Sequence, residues 1–594
     1  MCGIFGYLGK EVDAAKIVLE GLKRLEYRGY DSWGIATLKR SKKGNVLAVQ
    51  KKTGKISDVT HLKNFGKSTL AIGHSRWATH GEVTNLNAHP HWDTAKKIAL
   101  IHNGILENYT EIKKELIKKG VQFITETDTE VAVQLIGEYV KLGMDLKKAA
   151  QKAAARFEGR FAFVLFGIDS DRIIAVRSGA PLIIGISRDA TFIASDIPAF
   201  LPFTNTVNYL DDGEMVEITQ KKVSFFSIIT GKSIKKRLIT IEWKMEDAVK
   251  GDFEHYMLKE IFEQKETILR AVQQDLPEIQ ALSQLIQKAK GVFFIGCGTA
   301  GKIAQIGTYF FASVAKRHIN FTPASEFRLF HHFLKPETLI MAISQSGETA
   351  DVIEALDVGR KSGSTLSALV NVQGSTIHRM CDSSLLIRAG VEKAVASTKA
   401  ATSQMSLLLL LAYAAVGKTE EGQKLLGETA SKINDLLNPR YLKHIAKTAK
   451  RYKNSPDIFI IGRGANFPLA LEAAIKIQEV SYIHAEGFAG GELKHGPIAL
   501  IQKGTPCVVL VGDDESRKEI LSNAMELRAR GAKIIGVSPK NEEVFDEWFR
   551  VPESGVASPI VNLIPIQLFA YSLAVAKGLD PDMPRNLAKS VTVK

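Results

Sequence analysis

The chain has 594 residues, 45% hydrophobic and 24% charged, with a formal charge of +14. That composition excludes a disordered chain and predicts about three or four packed domains. The basic balance admits nucleic acid or acidic metabolites, but the lysines are scattered, as in "KRSKKG" and "KKELIKKG". Without a basic helix studded with aromatics, nucleic acid is set aside and phosphorylated small molecules stay open.

No uncharged apolar run of about 18 residues is expected, so no membrane span is assigned. The longest such stretch is read as "SLLLLLAYAAVG" near 406–417, a buried helix. No basic segment followed by an apolar one opens the chain, so no secretory leader is assigned. Cys2, Cys297, Cys381 and Cys507 lie too far apart for a disulfide framework or a metal knuckle, which fits a cytoplasmic location.

The chain opens "MCGIFGYLG". Removal of Met1 would leave a thiol and a free α-amine on one residue, Cys2. The alternative is a small second residue with no chemistry. Short β-rich runs such as "FAFVLFGI", "RIIAVRSG" and "PLIIGIS" alternate with turn signals, and "LKKAAQKAAARF" from Leu146 reads as a helix. Residues 2–220 therefore read as an α+β domain of stacked sheets. Three polar clusters sit beside its strands: "HSRWATHG", "HNG" and "TDTE". In them Arg76 can grip a carboxylate, Asn103 and the Gly104 amide can form an oxyanion hole, and Asp128 can hold an ammonium. His74, His80 and His102 lack the spacing of a metal motif. Residues 221–280, charged around 231–255, read as a linker and connecting helix.

The rest carries a repeat. "VFFIGCGTAGKIA" at Val292 and "IFIIGRGANFPLA" at Ile458 are each an apolar strand, a Gly-x-Gly turn and a helix start. "TLIMAIS" and "TPCVVLV" follow, then "GSTLSALV" and "GAKIIGVS", at similar offsets. Strands spaced by helical segments predict two doubly wound parallel α/β domains, at 281–430 and 447–580. "GCGTAG" with Glu326 downstream also fits a dinucleotide fingerprint. "SQSGETADVIEAL" argues for phosphate instead: Ser344, Gln345, Ser346 and Thr349 end a strand just before a helix, more polar groups than a cap needs. The second copy has "GDDESR" there, whose acids would repel phosphate. Glu472, Lys476 and Glu479 fall on one helix face among apolar residues, either as an exposed pair or as a pocket lining. His495 lies in a turn before Pro497, and Lys589 lies in the tail 581–594; by themselves both read as solvated.

Together these motifs resemble the glucosamine-6-phosphate synthases, the isomerising glutamine–fructose-6-phosphate aminotransferases, along essentially the whole chain. "CGIFGY" resembles the start of an N-terminal-nucleophile (αββα) glutaminase domain. Two sugar-isomerase (SIS) domains and the tail "PRNLAKSVTV" follow. The lack of long mid-domain insertions resembles bacterial or archaeal members. The resemblance implies L-glutamine and fructose 6-phosphate as substrates, a homodimer, and no metal or other cofactor. It implies Cys2 as nucleophile, its α-amine as base, and Asn103 and Gly104 at the oxyanion. It places Arg76, Thr79, His80 and Asp128 on glutamine, with Trp77 gating a dry passage for ammonia. For the sugar phosphate it implies Thr299, Ser344, Gln345, Ser346, Thr349, Val395 and Ser397. His495, from the neighbouring subunit, would open the ring, and Lys589 would form a Schiff base at C2. Glu479 would move a proton between C1 and C2, with Glu472 and Lys476 completing the group. Two positions depart from the family pattern: Ala300 stands where serine is frequent, and Trp33 where a small residue is usual. A related amidotransferase or deglycase, a sugar-phosphate-binding regulator and a nicotinamide oxidoreductase are the rival readings.

Overall fold

The structure, a computed structural model, describes residues 2–40, 44–78, 80–241, 243 and 249–592. It divides into two compact units: Met1–Val249 with Ala588–Lys594, and Lys250–Leu587.

The first unit holds two antiparallel sheets. Gly3–Gly9 lies inside the eight-stranded one, between Leu70–Arg76 and Ala190–Ala194. The seven-stranded one carries Ile98–Gly104 beside Phe161–Gly167. Alternation sets the layers. Ile4, Leu8, Ile72 and Ala36 face Ile101, Val164, Ala175 and Val216 of the other sheet in one buried cluster. On the outer side, Phe5 lies so close to the helix Ala14–Arg24 that a Cβ on Gly21 would meet its ring at 2.1 Å. The helices Tyr109–Lys118, Asp128–Lys141 and Leu146–Ala154 cover the outer face of the second sheet with Leu116, Val131, Leu135 and Ala150. The result is the four-layered αββα arrangement.

The expected boundary at 220 shifts. Val223–Ser227 and Ser233–Ile234 extend the seven-stranded sheet, and Ile239–Thr240 pairs with Thr206–Tyr209 at the edge of the other. Edge strands bury only part of one face, so they tolerate the charged composition that suggests a linker. Trp33 is buried in Ser32–Lys39, opposite Ser75 and Lys52. Nothing in the structure explains its preference there over a small residue.

The second unit holds the duplicated domains. Each has a five-stranded parallel sheet. In the first, Gly291–Gly296 lies between Asn320–Pro323 and Thr338–Ser344; in the second, Asp457–Gly462 lies between His484–Ala489 and Pro506–Leu510. Counted within its own domain, each sheet has the order 2-1-3-4-5. The Gly-x-Gly turns allow helix and strand to meet closely: a Cβ on Gly462 would lie 2.0 Å from the Asn466 carbonyl, and one on Gly296 2.9 Å from Ala300.

One face of each sheet enters a shared core, with Phe294, Met341, Ile460, Val508 and Ile535. The helix Ser558–Ala576 runs through it. That helix corrects the expectation about apolar runs. It holds 19 uncharged residues, and Gly555–Ala576 is long and apolar enough to cross a membrane. Asn562, Pro565 and Gln567 break the run to the eye, yet none carries charge. Here the helix is mostly buried inside the unit, with Gln264 Nε2 donating to Gln567 Oε1 at 2.7 Å.

Candidate active sites

In the first unit the strand Gly3–Gly9 delivers Cys2 to the end of Leu70–Arg76. The Trp77 N–H donates to Cys2 Sγ at 3.3 Å. Burial pushes the Cys2 thiol up, while the Trp77 N–H and Arg76 pull against it. Asn103 Nδ2 donates to the Cys2 carbonyl at 3.0 Å. The orientation of that amide is fixed from behind, where His74 Nε2 lies 3.0 Å from Asn103 Oδ1. Burial pulls His74 down to about 3, so its ring is neutral at neutral pH and Nε2 carries the hydrogen that donates. A primary amide has two N–H bonds, so Asn103 keeps one for a further acceptor. Gly104 has φ +108°, and a Cβ there would lie 2.0 Å from the Arg160 carbonyl. Only glycine fits.

Arg76 is buried, and its guanidinium donates to the carbonyls of His80, Gly81 (3.1 Å) and Glu82 (3.2 Å). It therefore ties down the loop after its own strand. His80 is half-buried, edge-on to Tyr109. Asp128 is fixed by a helix start that is legible locally. Thr127 Oγ1 accepts the Glu130 N–H, and the Glu130 carboxylate accepts the Thr125 N–H at 2.7 Å. Asp128 Oδ2 accepts the Leu106 N–H at 2.9 Å and lies 3.9 Å from His102 Nδ1. Thr79 lies outside the described residues.

Sequence reasoning passed over Arg28 and Asp31. Arg28 Nε donates to the Cys2 carbonyl at 3.3 Å while its Nη1 pairs with Asp196 at 3.0 Å. Asp31 accepts the Ala78 N–H at 2.8 Å. Both lie in "YRGYDSWG", a 3₁₀ turn and its exit between the first helix and the strand Ser32–Lys39, where no local pattern marks them.

In the second unit, the helix Asn466–Ser481 buries Glu472 and Lys476 completely. Lys476 lies 3.6 Å from Glu472 and forms a tight ion pair with Glu479. Thr299 Oγ1 donates to Glu472 Oε1 at 3.1 Å. Burial pushes Glu472 up to about 7, with Glu479 adding to the rise and Lys476 opposing it. Burial would lower Lys476, but Glu479 and Glu472 outweigh it, and its net direction is upward. The helix stripe is thus a buried charge group and not an exposed pair.

Glu392, missed in the sequence, faces the same lysine. It accepts Ser397 Oγ at 3.1 Å and the N–H groups of Thr398 (2.9 Å) and Ala400 (3.0 Å), so it anchors the loop that carries Ser397. Val395 donates its N–H to the Asp582 carbonyl at 3.0 Å.

The strand Thr338–Ser344 ends beside Gly291–Gly296, where the strand order reverses, the usual ligand crevice of such sheets. Gln345 and Ser346 follow, half-buried, and Thr349 opens the helix Ala350–Lys361. Ser344 Oγ accepts the Gly347 N–H at 3.1 Å and lies 3.4 Å from Thr349 Oγ1. Gly347 has φ +66°, and a Cβ there would strike Ser375 Oγ at 2.0 Å. In the second copy Asp514 instead occupies its own turn, accepting the Ser516 N–H at 2.9 Å.

His495 is exposed at the end of a 3₁₀ turn, with no hydrogen bond to the charged helix among the described residues. Lys589 is half-buried and belongs to the first unit, where Arg160 Nε donates to the Thr592 carbonyl at 3.1 Å. The tail expected as one segment is thus divided, with Asp582 accepting the Tyr256 and Met257 N–H groups in the second unit.

Comparison with known proteins matches a different family to each of the two units. The SIS domain family matches residues 285–414 and 451–577, and the glutamine amidotransferase domain family matches 57–238. A glutamine–fructose-6-phosphate aminotransferase (isomerizing) of Thermococcus kodakarensis is 41% identical over all of both chains. One of Pyrococcus horikoshii is 42% identical, also over all of both chains. The solved C-terminal domain of a glucosamine-fructose-6-phosphate aminotransferase of Francisella tularensis covers 57% of this chain and 100% of its own, with 32% identity and a TM-score of 0.52. Matched from end to end at this level, the chain belongs to the isomerising glutamine–fructose-6-phosphate aminotransferase family.

Proposed function

We propose a division of labour for the reaction of this enzyme, which converts D-fructose 6-phosphate and L-glutamine to D-glucosamine 6-phosphate and L-glutamate. After loss of Met1, the Cys2 α-amine takes the thiol proton; such amines titrate near about 7.7–8.0 and are partly neutral at pH 7. The thiolate attacks the glutamine amide. The free N–H of Asn103 and the Gly104 amide receive the oxyanion, ammonia leaves, and water releases glutamate from the thioester. Arg76 holds the substrate carboxylate and Asp128 its ammonium, with Thr79 and His80 beside them and Trp77 as the gate.

At the sugar site the phosphate lies on Ser344, Gln345, Ser346 and Thr349, with Thr299, Val395 and Ser397 around the sugar. His495 of a neighbouring subunit opens the ring, so the working unit is a homodimer. Lys589 condenses with the C2 ketone, ammonia displaces it, and Glu479 carries a proton between C1 and C2, giving the aldose amine. Lys476, braced by Glu472, holds Glu479 in place. All four cysteines are free, in keeping with a cytoplasmic enzyme.

The observation that carries this reading is the pairing, in one chain matched along its whole length by its relatives, of the Cys2–Asn103 contact with the buried Glu472–Lys476–Glu479 group. The test supplies amide-¹⁵N glutamine and fructose 6-phosphate with unlabelled ammonium in excess and reads the product by mass spectrometry. Labelled glucosamine 6-phosphate is expected, with none from Cys2→Ala. Product nitrogen drawn from the bulk ammonium would overturn the scheme.

A further inference from the structure

Away from the residues assigned above, the second duplicated domain has an open cavity of about 530 Å³ between the helix Pro439–Tyr452 and the edge strand Glu547–Arg550. Three of its ring side chains, Tyr441, His444 and Trp548, are fixed through backbone acceptors. The Tyr441 hydroxyl donates to the Arg550 carbonyl at 2.7 Å and Trp548 Nε1 to the Ser538 carbonyl at 2.8 Å, while His444 Nε2 lies 3.0 Å from the Trp548 carbonyl. Rings held in this way lose little freedom when a ligand arrives. The two acids that line the cavity are already neutralised, Asp546 by Lys533 at 2.8 Å and Glu547 by Arg451. Arg440 and Arg550 line it too. Both are exposed, and neither has a carboxylate partner among the described residues.

A cavity of this size takes a small molecule. Ordered aromatic faces favour a planar ring system, and two unpaired guanidinium forks favour phosphate oxygens. We propose that the cavity binds a nucleoside phosphate, with its base against the Trp548, Tyr441 and His444 side and its phosphates on Arg440 and Arg550. No residue of either reaction centre takes part, so the site stands independently of the catalytic scheme.

Calorimetric titration of the full-length enzyme with ADP and with UDP tests this, with adenosine, uridine and inorganic pyrophosphate as fragments. At least one nucleotide is expected to bind once per chain, at least tenfold more tightly than any fragment. Arg440→Gln and Arg550→Gln are each expected to weaken it about tenfold, the loss of one charge-assisted contact. Trp548→Ala should weaken it as well, while Trp548→Phe keeps most of the affinity. Glucosamine 6-phosphate synthesis by the arginine variants, which needs the second unit folded, should match the wild type and serve as the folding control. Absence of binding up to about 1 mM, or unchanged affinity in the double arginine variant, would overturn the proposal. Pyrophosphate binding as tightly as the nucleotides would do so too, since only an anion would then be recognised.

Discussion

Replacing Lys476 by methionine tests the buried charge group directly. Neither Lys476 nor Glu472 exposes any side-chain surface, and Met nearly matches the length of Lys, so the substitution removes charge without opening much of a cavity. Stripping one partner from a buried ion pair costs roughly 3–5 kcal/mol. Glu472 already stands at about 7 with the ammonium pulling it down. Without that ammonium its folded value rises further, while the unfolded carboxyl still titrates near about 4.3. Across that window the folded variant holds a proton that the unfolded chain does not, so its stability falls as the pH rises. The deficit is therefore greatest near pH 8. It shrinks by up to about 1.4 kcal/mol between pH 8 and pH 6, because the wild-type Glu472, at about 7, takes up its own proton over the lower part of that range. Urea unfolding of the full chain at both pH values, with hydrogen exchange on Asn466–Ser481, measures the difference, and glutamine hydrolysis reports on the first unit. An equal deficit at both pH values, or less than about 1 kcal/mol near pH 8, would refute the reasoning.

The first unit should respond to pH in the opposite sense. Burial lowers His74, His89, His91 and His102, so their folded rings stay neutral where the unfolded chain protonates. Stability present above about pH 6.5 should be lost on acidification, on the order of 1 kcal/mol per ring at pH 5.5, as read by thermal inactivation of glutamine hydrolysis. Asn103→Ala should lower kcat for glutamine hydrolysis by about 10²–10³-fold, the cost of one oxyanion donor, with little change in KM for glutamine. Gly104→Ala should destabilise the same unit, because its Cβ meets the Arg160 carbonyl at 2.0 Å; a lowered melting temperature checks it. Ala300→Ser should add a hydroxyl next to Thr299, lowering KM for fructose 6-phosphate and leaving glutamine hydrolysis unchanged in steady-state assays.

The duplicated sheets were legible because each copy repeats an apolar strand, a Gly-x-Gly turn and a helix start; their strand order was not, because parallel connections admit more than one. The layered first unit was legible from short β-rich runs separated by turn signals, and Asp128 from the polar cluster "TDTE" beside them. Other features depend on contacts between distant segments. Glu392 joins the buried charge group only because its loop folds back toward Lys476, and Arg28 reaches the Cys2 carbonyl from the 3₁₀ turn after the first helix. The strands after residue 220 hide behind charge because an edge needs little apolar surface. Ser558–Ala576 hides because Asn562, Pro565 and Gln567 interrupt a pattern without adding charge. Nothing local reports that the residues after Leu587 settle with the first unit.

The helix Ser558–Ala576 has a consequence for biosynthesis. Its Gln567 meets a partner 303 residues earlier in the chain, and its apolar side chains complete a core begun by the first duplicated domain. Ribosomes adding about 5–20 residues per second leave that surface open for roughly 15–60 s on the emerging polypeptide. Chaperones have that interval in which to guard it, and a message truncated before codon 558 would yield a product destined for proteolysis.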